Sequence, residues 1–264
     1  MKATIIISVY KNVEALGCIL ESLRRQTRQD FEVLISEDGE CAEMAAFVDT
    51  YPWPWPHQHL TQADEGWRKN RALNRAILAA QNDWLIFIDG DCALHERFVE
   101  WHMREAERHA GEKVMIGGKR VKLNPALSRE FIQRGTVRLL PRLFSRQGCR
   151  YVEEAFYLPI CQWLRRPIKH LVGSNMAMSR EALISINGFD ENYTRPATGE
   201  DYDIEWRLMA MGYRLVSLRN LAVQYHLWHK ENWQDQNENM IYCREVQKRG
   251  EVVCRNGIVH SEKL

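Results

Sequence analysis

No run of apolar residues approaches the length of a membrane span. The first, Ala3 to Tyr10, is ended by Lys11, is too short even for a signal peptide, and no later stretch reaches spanning length. Cysteine never occurs as Cys-x-x-Cys. Seven of them, an odd number, are scattered from Cys18 to Cys254, so neither a disulfide framework nor a zinc ribbon is suggested. Neither sign of charge dominates: 36 Lys+Arg face 35 Asp+Glu, net +1, which gives the whole chain no steering toward nucleic acid. No Gly-x-Gly-x-x-Gly follows an apolar strand, which argues against a dinucleotide oxidoreductase. Repeats and low-complexity tracts are absent. The expectation is a cytoplasmic protein in a reducing compartment.

What is present is ordinary globular composition: 264 residues, 45% hydrophobic and 27% charged, enough for one large domain or two fused halves with a sizeable core. Ala3 to Tyr10 is short, β-branched and apolar, as in a strand buried on both faces. Asn12 can cap a helix in which Val13, Leu16, Ile19, Leu20 and Leu23 share a face. Phe31 to Ser36 reads as a second strand, His57 to Thr61 as a weak third, Trp67 to Gln81 as a helix and Asp83 to Ile88 as a strong fourth strand. Strand and helix alternating at this spacing predict an α/β fold with a mainly parallel sheet. Later come a strand at Val114 to Gly118, a helix from Ser179, another from Glu200 to Met211, and a strand at Tyr213 to Leu218.

Three groups of residues carry chemistry. Asp89-Gly90-Asp91 follows directly on the fourth strand, where open α/β sheets bind ligands. Two carboxylates so close repel unless a cation lies between them. A divalent ion there would neutralise a departing diphosphate, and Gly90 would let the diphosphate approach the backbone. The plain alternative is a solvated acidic turn. Gly199-Glu200-Asp201-Tyr202-Asp203 opens a helix, where carboxylates act as caps, the better reading for Asp203. A carboxylate across a site from a metal could equally take a proton from a hydroxyl. His226 and His229 frame Leu227 and Trp228. Each could be structural, or one, His226 by preference, could join two carboxylates on a metal. That donor set favours Mn²⁺ over Mg²⁺.

Residues 134 to 169 hold eight basic residues (among them Arg134, Arg138, Arg142 and Lys169) against Glu153 and Glu154, interleaved with Leu139, Phe144, Phe156 and Trp163. This segment is either a solvated face or a contact for an anionic acceptor or the inner face of a membrane.

Taken in order, these residues resemble a family-two glycosyltransferase of the GT-A fold. The resemblance is nearest the branch that shares a C-terminal segment with β-1,4-galactosyltransferases and bacterial chondroitin polymerases. The motifs are Ile7-Ser8-Val9-Tyr10, Ser36-Glu37-Asp38-Gly39, Asp64 to Arg71 with Asn74, Ile88 to Cys92, Gly173-Ser174-Asn175, Asn187 to Asp190, Gly199-Glu200-Asp201 and His226 to His229. The resemblance implies a nucleotide-sugar-binding half over 1–125 and an acceptor-binding, base-bearing half over 126–264. It implies a nucleotide-diphosphate sugar as donor, UDP-linked first, and a glycan or lipid-linked glycan as acceptor. Ser8, Tyr10 and Asp38 would hold the nucleoside, and Arg68 or Arg71 would face the nucleotide. Asn74 and Asn175 would lie near the donor. Asp91 and His226 would bind the metal, with Asp89 helping and His229 as the alternative. Asp201 would be the base and Glu200 its neighbour on the sugar or acceptor. Two departures stand out: Arg195-Pro-Ala-Thr-Gly199 replaces Gly-Trp-Gly-Gly, and Glu37-Asp38-Gly39-Glu40 replaces Asp-Asp-Gly-Ser. A sugar-nucleotide nucleotidyltransferase is the rival enzyme, but its glycine-rich loop is missing at Ser8 to Asn12. An inactive glycan- or nucleotide-binding module is the rival outside catalysis.

Overall fold

The computed structural model describes residues 1–134, 148–159, 166–196, 199–230 and 237–259. The first half alternates as its pattern predicts: β1 (Ala3–Val9), α1 (Val13–Arg24), β2 (Phe31–Glu37), α2 (Ala42–Thr50), β3 (His57–Leu60), α3 (Lys69–Ala79) and β4 (Trp84–Asp89). The Asn12 side chain accepts from the Ala15 amide at 3.0 Å and so caps α1, which buries Leu16, Ile19, Leu20 and Leu23. Then follow β5 (Cys92–Leu94), α4 (Phe98–Arg108), β6 (Val114–Gly117), β7 (Arg120–Lys122), α5 (Pro125–Arg134), a 3-10 turn at Val152–Ala155, and β8 (Met176–Ser179). The described chain ends with α6 (Arg180–Ser185), α7 (Glu200–Ala210), β9 (Arg214–Ser217), β10 (Gln224–His226) and α8 (Asn237–Arg249). Among the described residues, no helix is long and apolar enough to cross a membrane.

Seven strands form one sheet in the order β3-β2-β1-β4-β8-β6-β9. Only β8 runs against its neighbours, so the sheet is mainly parallel. Ile5, Ile7, Val33, Ile35, Ile86 and Ile88 pack on one face, while Ile6, Leu34, Leu85 and Phe87 pack on the other. Burial of both faces is why these strands read as unbroken apolar runs rather than alternating ones. Truncating any of them to alanine should cost about 2–5 kcal/mol. The stretch after residue 125 supplies β8 and β9 to this same sheet.

The chain moves outward from β1 to β2 and β3, then returns to place β4 on the other side of β1. That reversal opens a crevice beyond the carboxyl ends of β1 and β4, where Ser8 pairs with Asp89. A second, three-stranded sheet, β5-β10-β7, lies beside it. Its register sets His226 opposite both Cys92 and Lys122, and Leu227 donates its amide to the Asp91 carbonyl at 2.8 Å. Each strand has three residues, too few for a periodic signal, and the sequence pattern does not predict this sheet.

One expectation changes here. Asp203 is not a helix cap: its carboxylate pairs with the Arg207 Nε at 2.7 Å, and Tyr193 donates its hydroxyl at 3.2 Å. Both members of the pair are buried, which locks the first two turns of α7 to each other. The basic segment 134 to 169 falls largely on residues outside those described. Its described part is anchored at two points, Trp101 donating to the Tyr157 hydroxyl at 3.1 Å and Arg219 pairing with Glu154, while Tyr151, Phe156 and Leu158 are exposed.

Candidate active site

A cleft of about 650 Å³ opens at the crevice between β1 and β4. Ser8, Tyr10 and Asp38 line one wall, Trp67 and Lys69 another, and Asp89, Asp91 and His229 the floor and far side. Gly90 is required here by close approach. A Cβ would come within 2.7 Å of a Val9 methyl carbon and 3.0 Å of the Ser8 carbonyl oxygen, which accepts from the Gly90 amide at 2.8 Å. The glycine therefore clears β1 itself, and this is the constraint the structure displays in place of room for a diphosphate.

Asp38 organises its wall. One oxygen accepts from Gln62 Nε2 at 2.7 Å and the other from the Arg68 amide at 2.8 Å. Burial raises its pKa, and those two hydrogen bonds oppose the shift. Tyr10 is 53% exposed at the mouth, its hydroxyl 3.3 Å from Asp64.

The acidic loop is enclosed by cations. Asp89 meets Lys69 Nζ at 2.9 Å on one oxygen and Arg120 at 3.2 Å on the other. Asp91 faces both histidines, with His226 Nε2 at 3.5 Å and His229 Nε2 at 3.3 Å from the same carboxylate oxygen. Burial alone would raise the Asp91 pKa, but the hydrogen bond to His229 and the charges of His226, His229 and Arg120 hold it well below the usual carboxylate range. Burial pulls His226 downward, toward the neutral imidazole that can ligate. The ligand atoms of Asp91, His226 and His229 all lie within 4.8 Å of one another, a spacing and chemistry that fit one divalent ion. The two histidines thus stand together rather than as alternatives. Asp89, Asp91 and Cys92 form a second such group.

Lys69 joins the two acidic clusters. Its Nζ lies 3.4 Å from Glu200 Oε1 as well as 2.9 Å from Asp89. Burial opposes the lysine charge, but Asp89 and Glu200 outweigh it and the net pKa is raised. Glu200 is buried, and burial raises its carboxyl despite the pull of Lys69, while its Oε2 has no hydrogen-bond partner. Asp201 sits one residue further along α7. Its Oδ2 accepts from the Gly173 amide at 3.1 Å and its Oδ1 from the Tyr202 amide at 2.8 Å. Asp201 and His226 are not among the residues lining the cleft; His226 faces Asp91 of its floor, and Asp201 follows Glu200, which Lys69 ties to Asp89.

Four expected donor residues are placed differently. Asn74 is buried and spends its whole amide on the loop after α6, donating to the Phe189 carbonyl at 2.8 Å and Glu191 at 3.0 Å and accepting from the Phe189 amide at 2.8 Å. Asn175 is buried between His102 (3.0 Å), the Lys119 carbonyl (3.1 Å) and the Ala222 carbonyl (3.1 Å). Both are staples, and neither reaches the cleft. Arg68 precedes the first turn of α3 and contributes its backbone amide, and Arg71 is exposed. Two residues along a helix turn through about 200°, so Lys69 and Arg71 cannot face the same cleft. The basic residue that α3 brings to the cleft is Lys69. Sequence reasoning assigned no role to it or to Arg120, because an isolated cation shows its partner only once the chain is folded. The one available hint is that Lys69 opens the first turn of α3, where a cation opposes the helix dipole and needs another cause.

Residues 4–186, more than half the chain, match the model of glycosyl transferase family 2, and residues 162–230 match the N-terminal domain of galactosyltransferase. The amylovoran biosynthesis glycosyltransferase AmsB of Erwinia amylovora is 23% identical over 242 residues, covering 90% of this chain and 74% of its own. The chondroitin synthase of Pasteurella multocida (strain Pm70) is 23% identical over 226 residues, 79% of this chain but 23% of its own length. Among solved structures, the mannosyltransferase PcManGT from Pyrobaculum calidifontis, in complex with GDP-Man and Mn²⁺, superposes with a TM-score of 0.58 at 18% identity, over 88% of this chain and 58% of that one. S. aureus TarS 1-349, in complex with UDP, gives 0.58 at 18% identity, over 85% of this chain and 60% of that one. This chain therefore spans less than two thirds of either structure. The likeness establishes a GT-A architecture, as the motifs led us to expect, and the match over residues 4–186 settles the wider question. The chain belongs to glycosyl transferase family 2.

Proposed function

We propose that the protein transfers a sugar from a nucleotide-diphosphate donor, UDP-linked first, to a glycan or lipid-linked glycan hydroxyl, with inversion at the anomeric carbon. The observation that carries this is the Lys69 bridge from Asp89 to Glu200, which sets the carboxylates after β4 beside those that open α7. Ser8, Tyr10 and Asp38 hold the nucleoside in the cleft. Asp91, His226 and His229 hold a divalent ion. Two imidazoles with one carboxylate favour Mn²⁺ over Mg²⁺. When bound, that ion supplies positive charge next to the diphosphate leaving group.

Asp201 takes the proton of the acceptor hydroxyl. The hydroxyl oxygen forms its bond to the anomeric carbon as the bond from that carbon to the diphosphate oxygen breaks, and the electron pair leaves with the diphosphate. A single displacement from the opposite face inverts the centre. Glu200, pushed toward its neutral form by burial, can donate a hydrogen bond to a sugar hydroxyl. Lys69 and Arg120 pair with the two oxygens of Asp89 and hold it in place.

A thermal-shift screen of nucleotide sugars with Mn²⁺ tests the donor class. Stabilisation by UDP-sugars that disappears in EDTA is expected, and stabilisation by none refutes the proposal. For residues 134 to 169, flotation with anionic liposomes tests a membrane contact, and equal flotation with neutral lipid removes it.

A further inference from the structure

The cations nearest the acidic floor of the cleft are already engaged. Lys69 lies between Asp89 and Glu200, and Arg120 spans Asp89 and the Ser174 hydroxyl, to which it donates at 2.9 Å. At the mouth, Lys11 pairs with Asp64 at 2.5 Å. A divalent ion on Asp91, His226 and His229 would present only part of its charge to a ligand, because the Asp91 carboxylate offsets the rest. A diphosphate gains negative charge as its bond to the sugar breaks, so a cation not yet spent on an acid has a use here.

Lys230 is such a cation. It lines the cleft together with Asp89, Asp91 and His229. It is exposed, and among the described residues its ammonium meets no acid and no other partner. It also borders a second cavity of about 390 Å³, walled in part by His226, Trp228 and His229, so its long side chain has open space on two sides. Its backbone, by contrast, is tied to the metal ligands. His229 Nδ1 lies 3.2 Å from the Lys230 carbonyl oxygen. A carbonyl can only accept, so the imidazole proton sits on Nδ1, and Nε2, which faces Asp91, is left to ligate. The lysine is therefore held one residue from the ion while its ammonium stays unclaimed. With the nucleoside against Ser8, Tyr10 and Asp38 on one wall, the phosphate bonded to the sugar is the one farther from them and nearer to His229 and Lys230.

We propose that the Lys230 ammonium binds the outer phosphate of the nucleoside diphosphate and holds it as the bond to the sugar breaks. The proposal rests on the donor assignment of the cleft and adds to it a leaving-group contact supplied by the chain itself. The ammonium keeps its protons throughout, and the electron pair stays on the phosphate oxygen. Calorimetric titration of UDP and UMP into the protein with Mn²⁺ separates the two phosphates. Lys230→Met should weaken UDP about tenfold or more, the scale of a hydrogen bond between charged groups, and change UMP by less than about twofold. Lys230→Arg should restore most of the UDP affinity. Added salt should weaken UDP more steeply in the wild type than in Lys230→Met. Mn²⁺ affinity without nucleotide should be the same in all three proteins, which separates a phosphate contact from damage to His229 next door. Equal UDP affinity in the wild type and Lys230→Met, an equal loss for UDP and UMP, or a fall in Mn²⁺ affinity that accounts for the loss would overturn the proposal and leave the donor assignment standing. A wild type that binds neither UDP nor GDP would remove the donor assignment and this contact with it.

Discussion

The two acidic clusters differ in how their charge is held. Asp89 and Asp91 sit at the end of a buried strand, enclosed by Lys69, Arg120 and two imidazoles, and Asp91 is kept ionised well below the ordinary range. Glu200 and Asp201 open a helix, share a single cation with the first cluster, and otherwise lean on backbone amides, while burial raises Glu200 toward its neutral form. A site that must hold a cation needs permanent negative charge, whereas burial lets Glu200 keep a proton that Asp91 gives up. The same residue type serves both because its surroundings differ.

The hardest blow to that contrast is Asp201→Asn, which removes the proposed proton acceptor and leaves the first cluster intact. Transfer should fall about 10³-fold, the scale of general base catalysis, with nucleotide affinity unchanged. A variant with near-wild-type turnover would remove the distinction between the clusters. Away from both clusters, His102 braces the buried Asn175 staple, and burial pushes its pKa down to about 4. The folded state therefore refuses a proton that the unfolded chain accepts. Stability is complete above the unfolded value near 6.5 and falls by about 1.4 kcal/mol per pH unit as pH drops toward 4. Denaturant titrations of His102→Gln should show a flatter acid limb than wild type across that window, and an identical limb would contradict the assignment.

Lys69→Met sharpens the comparison by removing the shared cation. It should destabilise the fold by about 1–3 kcal/mol at pH 8. The loss should shrink as pH falls from 8, because the raised Glu200 carboxyl takes up a proton and relieves the repulsion. A loss that does not vary with pH would mean that Lys69 acts only through packing. Smaller still is the contrast between Asn74 and Arg71. Asn74→Ala breaks three hydrogen bonds of a buried amide and should lower stability by about 1 kcal/mol or more, whereas Arg71→Ala should change stability by less than about 0.5 kcal/mol and leave UDP affinity alone. Weaker UDP binding in Arg71→Ala would return that arginine to the donor site.

The same contrast explains what the sequence could reveal. The first cluster follows a long apolar strand, and one strand end with two carboxylates is a local signal, so the crevice and the acidic loop were legible, whereas Ser8 and Asp38 came with the family resemblance. The α/β class followed from alternation for the same reason. The partners of those groups were not legible. Lys69 and Arg120 find Asp89 only through the sheet order, and His226 finds Asp91 through strands of three residues that carry no period. Asn74 and Asn175 were expected near the donor from the resemblance alone, since an amide that staples a loop and an amide that binds a ligand are the same residue type. Burial distinguishes them, and burial is a property of the folded chain. Asp203 fits a cap by position, but Arg207 one turn later claims it.

The central claim is that Asp91, His226 and His229 share one divalent ion beside the donor cleft. Mn²⁺ titration followed by electron paramagnetic resonance, on the wild type and on His226→Ala, His229→Ala and Asp91→Ala, tests it directly. Saturable binding of one ion per chain is expected, weakened in each histidine variant and abolished in Asp91→Ala. One ion bound with unchanged affinity in all three variants would contradict it.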